Sequence, residues 1–146
     1  MQTREELLQE LLLPAELTDD QFIEAMEQLR VANVNFHHRD HIRLAWAYLR
    51  RDNPPVAGEN LSRCIRRYAT HNKAPRKYHH TITLAWVRIV AAAMRLTPAL
   101  ESFELFAAAH PALFEVRLPW TFYSAARLDS EAARAGWVES DLHPLP

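Results

Sequence analysis

NFHHRDHIRLAWAYLRR, residues 35–51, decides how the chain folds. Placed on a helix at about 100° per residue, Ile42, Leu44, Ala45, Trp46, Tyr48 and Leu49 fill one arc, and Arg39, Asp40, Arg43, Ala47, Arg50 and Arg51 fill the other. The stretch therefore reads as an amphipathic helix from about His37 to Asp52, stopped by Asn53-Pro54-Pro55. His38 and His41 fall inside the apolar arc, with His37 at its edge. Imidazoles placed among buried side chains need partners for both ring nitrogens.

Outward from this helix the pattern stays helical. Two capping boxes, Thr3 with Glu6 and Thr18 with Gln21, open a short helix before Pro14 and a second from about Asp19 to Arg30, with Phe22, Ile23, Met26 and Leu29 on one face. Leu61, Cys64, Ile65 and Tyr68 mark a helix from about Val56 to Thr70, and a long apolar helix follows from about Tyr78 to Arg95. Thr97-Pro98 reads as the cap and first residue of a helix through about Ala109. Leu113, Phe114, Leu118, Trp120, Phe122 and Tyr123 hold the next segment to the body, Ser130 caps a last short helix, and WVESDLHPLP runs extended. The fold class is all-α: a compact single-domain bundle of about six helices with an irregular C-terminal wrap. It divides into acidic N-terminal helices (1–35), a histidine-bearing core (36–95) and a C-terminal helix with its wrapping segment (96–146).

Composition narrows the function classes. With 146 residues, 49% hydrophobic and 24% charged, the chain can bury a core without disulfides. Two glycines are too few for a P-loop or dinucleotide fingerprint, and the single Cys64 excludes an internal disulfide or a cysteine-rich zinc site. The acidic start lacks the basic region of a signal peptide and no membrane-length apolar run occurs, so a soluble, cytoplasmic protein is expected. Net charge is −6 over residues 1–35, +7 over 36–80 and −2 over 81–146. Arg39, Arg43, Arg50 and Arg51 form one outward stripe and Arg63, Arg66 and Arg67 another. Both read as solvated faces, and without a recognition motif nucleic-acid binding is not expected.

Topology brings the histidines together. Helices joined by short loops pack antiparallel, so the helices that begin near His38 and His79 run parallel and start at one end of the bundle. His38, His41 and His79 then share a layer, with His71 at the end of the intervening helix as a candidate fourth member. Three neutral imidazoles suit Zn²⁺, Fe or Cu: zinc would activate water for hydrolysis or hydration, iron or copper would suggest oxygen chemistry. There is no Glu-x-x-His of a di-iron site, and Asp40 turns away from His38. Tyr78 is the candidate proton donor and Lys77 the candidate holder of a small, anionic substrate. A metal-free His/Tyr acid–base site is the alternative; a non-catalytic module docking an acidic partner through Arg63, Arg66 and Arg67 is a third reading. Tyr48, Trp46, Trp86 and Trp120 read as core, His80 as a surface residue, and Trp137 as a pin for the tail.

The segments FHHRDHIRLAWAYLRR, KYHHTITLAW and SEAARAGWVESDLHPLP resemble a group of small helical bacterial proteins with an F-x-H-x-D-H … A-W-x-Y-L … K-Y-H-x-T-x-T arrangement, over roughly residues 36–146. The resemblance points to His38, His41, Lys77, Tyr78, His79, Thr81 and Thr83. It brings no activity or cofactor with it.

Overall fold

Asp52 closes one helix and Asn53 begins the next. Its Oδ1 accepts the Val56 amide (3.1 Å), and Pro54 and Pro55 fill the first two helical positions, where the ladder needs no amide hydrogen. A computed structural model describes residues 1–4 and 12–146, whose regular structure is all helical, with no strand among them. The α-helices are α1 (Asp19–Glu27), α2 (His38–Arg51), α3 (Pro54–His71), α4 (His80–Leu96), α5 (Phe103–Ala109), α6 (Ala125–Leu128) and α7 (Glu131–Ala135). Single 3-10 turns lie at Pro75–Lys77, Pro111–Phe114 and Leu118–Thr121. The helix expected between Thr3 and Pro14, with the Glu6 half of its capping box, lies largely outside the described residues. No helix among the described residues is long and apolar enough to cross a membrane.

Helices α2, α3 and α4 pack on one another, α1 closes against α2 and α3, and α7 lies on α4. Phe22, Met26, Ile42, Leu44 and Trp46 are fully buried, and Trp46 packs against Phe103 and Phe106 at centroid distances of 5.6 and 6.1 Å. A smaller cluster of Ala85, Tyr123 and Leu128 holds the C-terminal wrap on α4. The Thr18–Gln21 capping box forms as expected: Gln21 Oε1 accepts the Thr18 amide (2.9 Å) and Thr18 Oγ1 the Gln21 amide (3.2 Å).

Three expectations change. Helix α1 ends at Glu27 rather than Arg30, because Leu29 turns into the left-handed region (φ 60°) and the Arg30 and Leu29 amides fold back onto the Ala25 and Met26 carbonyls. Helix α5 starts at Phe103, capped by Ser102, because the Thr97 hydroxyl turns back to Ala93 O and His110 Nε2 instead of capping forward. The arginine stripe of α2 is not simply solvated. Arg43 spans Asp19 Oδ1, Pro14 O and Leu17 O at 2.6–3.1 Å and covers the Phe22 ring, while Arg39 pairs with Glu104 over Phe103.

Helix α3 closes with the same reversal as α1. Lys73 takes φ 59° while its amide and that of Ala74 bond Thr70 O and Ala69 O. Lys73 is exposed, so Lys73→Gly relieves the left-handed conformation at little packing cost. It should raise the unfolding free energy by about 0.5–1 kcal/mol in urea denaturation. A loss of stability would refute this account of the turn.

Candidate functional site

A cavity of about 240 Å³ opens where α2 and α4 begin. His38, His41, Lys77, Tyr78, His79 and Thr83 all line it, so the antiparallel packing does carry these positions to one end of the bundle. Leu61 and Ile65 of α3 and Trp86 of α4 supply apolar wall. Val116 and Trp120 close it from the C-terminal wrap.

His79 holds its place by bonding through both ring nitrogens. Nδ1 accepts the Ile82 amide (3.1 Å), which makes His79 the N-cap of α4, and Nε2–H donates to Leu128 O (2.7 Å). A carbonyl can only accept, so these two bonds fix one tautomer of a buried ring. Helix α4 accordingly starts at His80, two residues later than the sequence periodicity suggests.

His38 and His41 are held differently. His38 Nε2–H donates to Leu113 O (2.9 Å) and its ring lies 5.0 Å from that of Trp86, which leaves Nδ1 as the acceptor side. His41 leans on Phe36 at 4.4 Å and keeps an exposed edge. Although the residue is exposed, desolvation by the protein packed around its ring, then the charge of neighbouring His38, lower its pKa to about 4. Asp40 instead accepts the His37 amide (2.8 Å) and caps α2.

The remaining candidates divide between two faces. Lys77 is exposed at the cavity rim. Tyr78 is buried, but its hydroxyl lies 2.6 Å from His80 Nδ1 and its ring lies beneath Arg66. Burial raises the Tyr78 pKa against the opposing pull of Arg66. This hydroxyl is therefore committed to His80, not free in the cavity as a proton donor. His80 is half-buried, not a plain surface residue. His71 lies on a separate groove and does not join the histidine layer.

A three-imidazole metal centre needs a free lone pair from each ring. His79 has none while it caps α4, whereas His38, whose Nε2–H goes to Leu113 O, keeps one on Nδ1. Among the described residues no group of three or more His, Cys, Asp or Glu side chains is placed to hold a metal ion. Of the three imidazoles expected from the sequence, His79 is thus committed to the helix cap and to a carbonyl in this conformation. The features that sequence reasoning missed are the Leu113 and Leu128 carbonyls, which no side-chain pattern marks, and Val116 and Trp120 as cavity wall. Trp86 and Trp120 are half-buried wall residues, whereas Trp46 is core as expected.

Compared with protein-family models, curated proteins and solved structures, the chain matches none of them.

Two outcomes test this site. His79→Ala removes a cap and leaves Leu128 O without its donor, which should cost about 2–4 kcal/mol in chemical denaturation. His79→Asn restores a capping acceptor and should recover a substantial part of that loss; equal, small effects of both changes would contradict the capping role. His41 supplies the second. Its folded pKa lies below the unfolded value of 6.5, so on acidification the unfolded chain takes the proton first and stability falls between about 6.5 and about 4. The difference in stability between the wild type and His41→Gln should track this window, and a pH-independent difference would refute the shift.

Proposed function

We propose that the chain binds a small organic anion in this cavity and is poised for acid–base chemistry on it through His41. The supporting observation is the convergence of a neutral imidazole, His41, and the Lys77 ammonium on one cavity walled by the Trp86 and Trp120 indoles. Its volume lies below the roughly 300–1,000 Å³ of pockets for drug-sized ligands, so the ligand is small. Lys77 supplies the counter-charge at the rim and the indoles cover an apolar body. With its lowered pKa His41 is a weak base. An anion within about 4–6 Å favours the charged imidazolium, so binding draws a proton onto His41 and readies it as a general acid.

Proton uptake makes the reading measurable. Acetate, benzoate, phenylacetate and phenyl phosphate would be titrated calorimetrically at about pH 7.5 and pH 5.5 in two buffers of different ionisation enthalpy, with Trp fluorescence in parallel. At least one ligand should bind saturably, more tightly at the lower pH and with net proton uptake. His41→Gln should remove the pH dependence, and Lys77→Ala should weaken binding at both values. Absence of saturable binding across the panel would overturn the proposal. So would a stoichiometric metal that is lost on changing His38 and His41, which would restore the metal-centred reading.

A further inference from the structure

On the other side of Tyr78, the seam between α3 and α4 opens as a continuous groove with two chemically different halves. One half, about 730 Å³, is lined by Arg63, Arg66, Arg67 and His71; the other, about 460 Å³, by Pro54, Pro55, Gly58, Leu84, Val87 and Trp137. Glu59, Ser62 and His80 line both halves and join them. We infer that this groove is a second binding site, for a single-chain amphiphile whose anionic head sits at Arg66 with Arg63 and Arg67, and whose apolar body lies along Leu84 and Trp137.

The guanidinium groups carry the first part of the argument. Among the described residues, ion pairs form at Arg39–Glu104, Arg43–Asp19 and Arg76–Glu131, and none engages Arg63, Arg66 or Arg67. Their polar contacts are neutral: Arg63 donates to Asn60 Oδ1 (3.3 Å), Arg67 to Glu27 O (3.0 Å), and Arg66 lies over the Tyr78 ring at 4.8 Å. Three cations within about one helical turn, none in an ion pair among the described residues, leave donors for a phosphate or carboxylate. Glu59 opposes an anion, but it stands at the junction, so the head belongs on the Arg66–His71 side of it.

Gly58 carries the second part. A Cβ at this position would lie 3.2 Å from Leu84 Cδ2, so the missing side chain lets α3 and α4 approach and keeps the apolar floor open. Trp137 borders that floor with Arg88 over its ring at 5.7 Å. A polynucleotide would use the cationic half alone; an amphiphile occupies both.

Decyl phosphate below its micellar concentration is the probe, with inorganic phosphate and 1-decanol as single-feature controls, read by calorimetry and Trp fluorescence. Decyl phosphate should bind saturably, at one molecule per chain, and at least about tenfold more tightly than either control. Arg66→Glu and Leu84→Gln should each weaken it about tenfold, whereas His41→Gln should leave it unchanged, which separates this groove from the histidine cavity. Arg66 is exposed, so its variant decides the matter even if Leu84→Gln fails to fold. Equal binding of decyl phosphate and inorganic phosphate, binding insensitive to Arg66→Glu, or binding of RNA in preference to the amphiphile would overturn the inference.

Discussion

The doubly bonded ring of His79 fixes where α4 begins and where the C-terminal wrap comes to rest. Its Nδ1 sets the first turn of α4 and its Nε2–H holds the end of α6 through Leu128 O. Neighbouring threonines extend the join: Thr83 Oγ1 donates to His79 O, and Thr81 Oγ1 donates to Gly136 O while accepting the Val138 amide. Thr81 is fully buried, so its bonds replace water that cannot reach it. One helical turn thereby orders a segment with little regular structure of its own. That segment in turn delivers the Leu113 carbonyl to His38 and Val116 and Trp120 to the cavity wall.

Much of this was legible in the sequence because two strong signals govern the centre. The 3.6-residue repeat of α2, α3 and α4 marks their buried faces, and short connections force them antiparallel, which is enough to gather His38, His41 and His79 at one end. The use of the rings was not legible. A histidine that caps a helix and a histidine that awaits a ligand occupy the same arc, and the difference lies in carbonyls contributed from 49 and 75 residues away. The wrap resisted reading because its 3-10 turns and short helices have no sustained period. Arg43 misled for a related reason: its position on the helix wheel is polar, yet the Pro14–Leu17 carbonyls descend on it and turn a surface residue into a bridge.

Adjacent residues of one type thus acquire different work. His79 is spent on architecture, while His80 next to it faces the opposite groove with Nδ1 close to the Tyr78 hydroxyl. Burial lowers the His80 pKa, and nearby Arg66 and His79 lower it further, which favours the neutral ring beside the Tyr78 hydroxyl. The arginines divide in the same way. Arg39 and Arg43 of α2 are engaged by Glu104, Asp19 and backbone carbonyls, whereas among the described residues Arg63, Arg66 and Arg67 of α3 form no ion pair.

This division gives the two faces of α4 different responses to their surroundings. On the cavity side the His41 ring takes up a proton only below the ordinary histidine range, near its lowered pKa of about 4. On the groove side the positive guanidinium groups would attract an anion with a strength that responds to ionic strength instead. Tyr78 stands between them, lining the cavity while its hydroxyl and ring face His80 and Arg66. A single buried tyrosine therefore stands between the histidine cavity and the arginine groove, and the same turn that caps α4 keeps the two apart.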